Sequence, residues 1–291
     1  MIDLNTIFHA KNENIYRKKY REVFEKIKPY VKERIVQFLD GRRKSTRGRK
    51  REVDLDHLLD CLFYITDNGI KLSYTKELFN IPRSTYYFYF KLISDSNILE
   101  QIHNEIVKEY HTETLDEDHS YMITDTFTVK SMDGSDGVGR NPTDRGRNGI
   151  KVSLICDHMQ VTHAVYIAPA NVHDAKTLLP TINSSITDLH DKKCLADSGY
   201  AGRKYILKIK ETSGVSLIAK PKRTCNSGKM SHELSIKETI MLKKRNNIER
   251  LNGNIRRFRG IMIKYTKKVS SYRTYLFVAI LCITCYNIFV V

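Results

Sequence analysis

Residues 121–129 read YMITDTFTV and residues 192–200 read KKCLADSGY. Each is a short β-rich run interrupted or closed by one acid. Asp125 stands inside the first, between Ile123 and Phe127, where an ionised carboxylate must face a polar cleft or be paired at real cost. Asp197 stands directly after the apolar residues of the second. Between them lie two more β-rich runs, GIKVSLICD at 149–157 and VTHAVYIAP at 161–169, separated by turn residues. DAKTLLPTINSSI at 174–186 is helical in pattern, and VSLIAK at 215–220 is a further short strand. Three successive strands, then helix, strand, helix, strand and long helices, predict an α/β layer fold with a mixed central sheet. Ligand and catalytic groups in such sheets gather at the carboxyl ends of strands.

Upstream, the texture is helical. Tyr16, Tyr20, Val23, Phe24, Ile27 and Val31 recur at helical spacing over 14–40, which predicts an amphipathic helix bent near Pro29. GRRKSTRGRKRE at 41–52 follows, with seven basic residues and one acid and no apolar residue, the composition of a solvated linker or phosphate-contacting arm. In YTKELFNIPRSTYYFYFKLI, at 74–93, Thr75 to Phe79 reads as a short helix and Asn80 to Pro82 as a turn. A second helix follows, capped by Ser84 or Thr85 and carrying Tyr86, Tyr87, Tyr89 and Phe90. This arrangement looks like a helix-turn-helix, whose second helix sets its first residues, Arg83 and Ser84 here, at base edges of DNA; such helix pairs also serve as plain packing units.

At the far end, YLFVAILCITCYNIFVV (275–291) is 17 residues without a charge. That length lies at the lower edge of a membrane span and equally fits a buried final helix. The buried helix is the expectation, and no membrane partner with it. The opening segment MIDLNTIFHAKNENIYRKKY has charges throughout and no apolar core, so no secretory signal is expected there.

Lys and Arg outnumber Asp and Glu 49 to 33, a net charge of +16 in 291 residues. Such a field attracts polyanions, nucleic acid first, and disfavours a basic partner. The six cysteines are scattered and lack the paired spacing of a zinc site. Cys282 and Cys285 form a C-x-x-C inside an apolar stretch, where core packing is the expected role. Reduced cysteines imply a cytosolic or nucleoid-associated protein, or a nuclear one in a eukaryotic host.

A third acid comes from KKRNNIERLNGNIRRFRGIMIK, 243–264. Ile248, Leu251, Ile255, Phe258 and Met262 make one apolar stripe on a long helix, with Arg245, Glu249, Asn252 and Arg256 on an adjacent polar stripe. Glu249 is the sole acid of this segment. Either it turns toward the sheet, or it pairs locally with Arg245 one turn away. Three oxygen donors converging on one point suit Mg²⁺ or Mn²⁺. Two such ions assist in-line displacement at phosphorus, and in a basic chain DNA is the matching substrate.

These residues resemble the DDE transposases of bacterial-type insertion sequences. The resemblance spans about 53–289 and rests on five ordered motifs: TDT at Asp125, DRGRNGIKVSLICD at 144–157, ANVHDA at 170–175, LADSGY at 195–200 and RNNIER at 245–250. It implies an RNase H-like mixed five-stranded sheet flanked by helices, with an N-terminal all-α, helix-turn-helix-like region. The implied division is 1–52 for the N-terminal helix and basic linker, 53–115 for the helical DNA-binding region and 116–291 for the catalytic domain. It further implies that Asp125, Asp197 and Glu249 are the catalytic, metal-binding triad for Mg²⁺ or Mn²⁺. The implied partner is double-stranded DNA, both terminal inverted repeats and target; relatives commonly act as dimers on paired ends, which makes a homodimer an option here. One departure from a signature that relatives often carry is visible: Leu242 replaces a tyrosine and Arg256 a lysine around Arg245 and Glu249.

Arg140, Arg145, Arg147 and Lys151 flank a glycine-containing loop, GRNPTDRGRNG, suited to following a DNA backbone or, equally, to a solvated hairpin. Arg245 and Arg256 are further phosphate contacts. Asn171, His173 and Asp174 follow the third long strand, where helix capping and packing are expected ahead of service to the site. Asp157 reads as a turn acid, and Tyr200 as either core filling or a neighbour of the site. Two other readings remain: a metal-dependent nuclease that cuts without rejoining, and an inactive DNA-binding regulator.

Overall fold

The computed structural model describes residues 19–42, 53–114, 121–223 and 231–290. Tyr16, most of the basic stretch 41–52 and Cys225 lie outside them. The chain divides into two compact units, residues 1–105 with 255–291, and residues 106–254. This differs from the expected division, which kept 255–291 with the catalytic domain.

The first unit is helical apart from the two-residue strand Ile263–Lys264. α1 (Lys19–Gly41) runs through Pro29 and buries Tyr20, Val23, Phe24, Ile27, Val31 and Ile35, the stripe that the 3.6-residue period marks out. α2 (Leu55–Asn68) starts at Asp54, whose side chain accepts from Asp56 N–H, and ends at Gly69 in the left-handed region. Phe24 of α1 stacks on Phe63 of α2 at 4.6 Å. α3 (Thr75–Phe79) stops at left-handed Asn80, and α4 (Arg83–Ser96) follows, so both expected helices and the turn between them are present. The cap is not. Pro82 occupies the N-cap position at φ −55°, and neither Ser84 nor Thr85 caps the helix. A proline fits a helix start because its ring presets φ and its missing N–H would have no partner there. α5 (Ile98–Glu113) ends the N-terminal half.

The second unit is built on a mixed sheet. Its strands are β1 (Tyr121–Ser131), β2 (Gly139–Asn141), β3 (Arg147–Cys156), β4 (Thr162–Pro169), β5 (Lys193–Ala196) and β6 (Ser216–Ala219). β1, β3 and β4 form an antiparallel meander, while β5 lies parallel to β1 on its other side and β6 parallel to β5. The order is therefore β4-β3-β1-β5-β6, with β2 pairing only the first residues of β3. This is the RNase H-like mixed sheet, and the crossovers to β5 and β6 are α6 (Asp174–Asn183) and α7 (Arg203–Ser213). Met122, Ile155, Cys194, Ala196, Leu217 and Ala219 line one sheet face and pack with Leu178 and Ile182 of α6 and Ile209 of α7. Strand alternation sends Ile123, Asp125, Leu195 and Asp197 to the other face.

α8 (Ile236–Leu242) opens with a reciprocal capping box between Ser235 and Glu238. α9 (Asn246–Arg257) buries Ile248, Leu251 and Ile255. The expected long helix through Met262 is broken: Phe258 is extended, at φ −75° and ψ 102°, and the four-residue α10 (Arg259–Met262) follows, leaving Met262 exposed. The break brings Gly260 against the end of α2, where an added Cβ would stand 2.7 Å from the Ile65 and Thr66 carbonyl oxygens. Gly260→Ala is therefore expected to cost about 1–3 kcal/mol, read as a lower denaturation midpoint. Gly253→Ala on α9, where nothing lies within 4 Å, is expected to stabilise by up to about 1 kcal/mol.

α11 (Val269–Phe289) is long and apolar enough to cross a membrane, but 78% of its most apolar 18-residue window is buried within the protein. Tyr275 stacks on Phe90 at 4.7 Å, and Arg273 forks onto Glu100 at 2.5 and 2.7 Å. Cys282 and Cys285 are buried and free. Their role is packing.

Candidate active site

Strand register places the first two acids. Ile123 of β1 is level with Leu195 of parallel β5. β5 ends at Ala196 and the extended Asp197 follows it; carrying the register two residues on puts Asp125 and Asp197 on one face, and the Asp197 charge is felt at Asp125. Asp125 is half-buried in the middle of β1, opposite Leu154 of β3. Asp197 follows the last residue of β5 and caps the single turn Ser198–Tyr200, its Oδ1 accepting from Ser198 N–H at 2.6 Å. A short strand feeding a tight turn thus leaves the Asp197 carboxylate at the carboxyl edge of the sheet.

The third acid arrives on α9. Asn252, 7% exposed, donates from Nδ2 to Asp125 Oδ2 at 3.0 Å, which docks the helix on β1. Asn247 of the same helix donates to the His158 carbonyl at 2.8 Å, and Ile248 and Leu251 bury beside these anchors. Glu249 stands one turn before Asn252. Its carboxylate is held by Arg245 at 2.5 Å, and its side chain is 54% exposed. Among the described residues no three His, Cys, Asp or Glu side chains stand close enough to hold a metal together. The two aspartates share one face; Glu249 belongs to the same electrostatic field but is turned to its arginine.

Burial pushes the Asp125 carboxyl above the usual carboxylate range, and the negative charges of Asp197 and Glu249 add to that rise. A hydrogen bond from the Thr126 backbone and the Arg245 charge act in the opposite direction. The site therefore concentrates negative charge that local groups only partly balance. Hard oxygen donors with surplus negative charge fit a divalent cation such as Mg²⁺ or Mn²⁺. Asn252 Oδ1, buried without a hydrogen-bond partner, is one more oxygen at this place. A cation gathering all three carboxylates requires Glu249 to leave Arg245.

The basic residues fall into separate groups. Arg140, Arg145 and Arg147 are exposed around the β2–β3 hairpin, whose turn carries Arg145 at φ 52° and Gly146 at φ 68°. Gly139 fits against the Asn171 side chain so closely that a Cβ would stand 2.1 Å from Oδ1. Lys151 departs from its expected place: it is buried, donates to the Val172 carbonyl at 2.6 Å and pairs with Asp174, so its charge is engaged inside the protein. Arg83 and Ser84 are exposed in the first turn of α4, and Arg256 is exposed near the end of α9; all three belong to the other compact unit.

His173 caps α6, its Nδ1 accepting from Ala175 N–H at 3.2 Å. Asp157 closes the β3–β4 turn, accepting from Val161 N–H at 2.9 Å and facing His163 Nε2 at 3.2 Å. Asn252 was legible only as a member of the polar stripe; its spacing of three from Glu249, on a face turned to Asp125, is the signal that singles it out. Asn252→Leu is expected to lower divalent-cation affinity by about 10–100-fold, the usual cost of removing a partner that orients a ligand, as read by calorimetry with Mn²⁺.

The family model described as a transposase DDE domain matches residues 116–287. A piggyBac transposase, in a structure described as a synaptic complex with hairpin DNA, is similar in fold at a TM-score of 0.52 and 11% identity, covering 98% of this chain and 74% of that one. No curated protein matches. With a family match over more than half its length, the chain belongs to the transposase DDE domain family.

Proposed function

We propose that the protein is a DNA transposase that binds the ends of its own element, hydrolyses a phosphodiester to free a 3′-hydroxyl and transfers that end to target DNA. The observation that carries this reading is Asp125 on β1 beside the parallel strand that ends just before Asp197, with Glu249 on a helix docked to Asp125. Asp125, Asp197 and Glu249 hold the divalent cations on which the family's chemistry depends. When bound, such ions supply an activated water and stabilise charge on the attacking and leaving oxygens. Asn252 fixes the Asp125 carboxylate and with it the distance of α9 from the sheet. Arg245 holds Glu249, which would have to leave that pair to join a bound cation, and Arg245 would then be available to a DNA phosphate. The exposed arginines of the β2–β3 hairpin follow the DNA backbone, and Arg83 and Ser84 at the start of α4 meet base edges.

The test is purified protein with Mg²⁺ or Mn²⁺ and a linear duplex carrying the inverted repeats that flank the gene. Nicking at the repeat ends and joined target products are expected, both lost on chelation. Cleavage without joined DNA identifies a nuclease. Sequence-specific binding that survives chelation, with no cleavage under any divalent ion, identifies a regulator.

A further inference from the structure

We propose that Lys151 and Asp174 form a clamp that works from the opposite face of the sheet to set the direction of Asp197; the proposal rests on the assignment of Asp197 to the cleavage site. Lys151 is level with Thr128 across the β1–β3 pair, which puts its side chain on the face covered by α6 and α7. There it is 8% exposed, and its ammonium is taken up by the Val172 carbonyl and the Asp174 carboxylate. Asp174 is the first residue of α6, held at that point by the His173 cap. Its second oxygen, Oδ2, lies 3.9 Å from where a Cβ on Gly199 would stand. Gly199 is the middle of the single turn that Asp197 caps. The last residue of that turn, Tyr200, is 2% exposed, and its phenolic oxygen is buried with no hydrogen-bond partner among the described residues. Burial raises the Tyr200 phenol well above its ordinary value, and the charges of Asp174 and Asp125 add to the rise, so the phenol lies in the field of both acids.

The linkage runs through packing: Lys151 fixes Asp174 at the start of α6, α6 packs against the turn, and the turn carries Asp197 at one end and Tyr200 at the other. Nothing else so charged is needed to close the sheet face at this point, where Ser153 and Thr181 already satisfy each other. The Lys151 side chain is buried while that of Asp174 is 40% exposed, so the pair ties the interior of β3 to the rim of α6. That helix packs against the turn after β5. Lys151, Asp174 and Tyr200 are thus positioning residues, and the clamp gives ANVHDA a role beyond helix capping.

The test uses the full chain and Mn²⁺ alone as the probe, measured by calorimetry, with plasmid cleavage and thermal melting alongside. Asp174→Asn and Lys151→Met are each expected to weaken Mn²⁺ binding by about tenfold and to slow cleavage by about 10–100-fold while DNA affinity stays within about twofold. Lys151→Arg, which keeps the charge and the reach, is expected to recover most of both. If Asp174→Asn melts earlier but binds Mn²⁺ and cleaves as the parent does, the pair is structural only and the clamp is wrong. Tyr200→Phe keeps the ring in the core, so it gives a folded variant with the same discriminating readout should the lysine variants fail to fold. Asp197→Ala in the same series separates the two claims: if it too binds Mn²⁺ and cleaves normally, the site assignment fails rather than the clamp.

Discussion

Asp197→Ala is expected to lower strand cleavage by about a thousandfold or more, with the fold and DNA affinity retained. Asp197 directly follows β5, the parallel neighbour of β1, and is partly exposed. The sole bond the side chain shows is to the N–H of the next residue, at 2.6 Å, and an alanine there costs about 1 kcal/mol of cap stability. Removing a carboxylate that holds a catalytic cation, by contrast, forfeits several kcal/mol of transition-state stabilisation, and about 4 kcal/mol is about a thousandfold in rate. Single-turnover cleavage and filter binding of the same variant distinguish the two losses. Cleavage at the parental rate contradicts the assignment.

Ile280→Asp is expected to unfold the helical unit, at a cost above about 4 kcal/mol. Ile280 is 0% exposed in the middle of α11. Its neighbours Ala279, Cys282 and Ile283 are equally buried, so an aspartate there finds no water and no cation. Thermal melting and far-ultraviolet circular dichroism of the purified variant read this out. Leu207→Asp, at a position 52% exposed on α7, is the expected neutral control, and a melting point for Ile280→Asp equal to the parent's overturns the burial of α11.

The sheet was legible because its strands carry two independent signals, β-branched runs and acids in places a core strand does not tolerate. Asp125 inside YMITDTFTV and Asp197 after KKCLA could be placed side by side only once the parallel pairing of β1 and β5 was known, since no local pattern sets a non-local register. The apolar stripe of 248–258 marked the buried face of α9 correctly, but its continuation to Met262 failed at Phe258, where packing of Gly260 on α2 overrides a good helical period. Lys151 was read as a phosphate contact from its neighbours Arg145 and Arg147, yet further along the same face of β3 it is covered by the start of α6 and pairs with Asp174. Glu249 carried two readings, a turn toward the sheet and a local pair with Arg245. The local pair is the one present, on a helix that Asn252 docks to Asp125.

The central claim is that Asp125, Asp197 and Glu249 share a divalent cation that cleaves DNA. A crystal structure of the full chain with Mn²⁺ and a short duplex, with the anomalous signal of manganese recorded, addresses it most directly. A manganese peak between Asp125 and Asp197, with Glu249 released from Arg245 and turned to the ion, is the predicted result. No peak at that position under saturating Mn²⁺, or Glu249 still paired with Arg245 beside a bound ion, contradicts it.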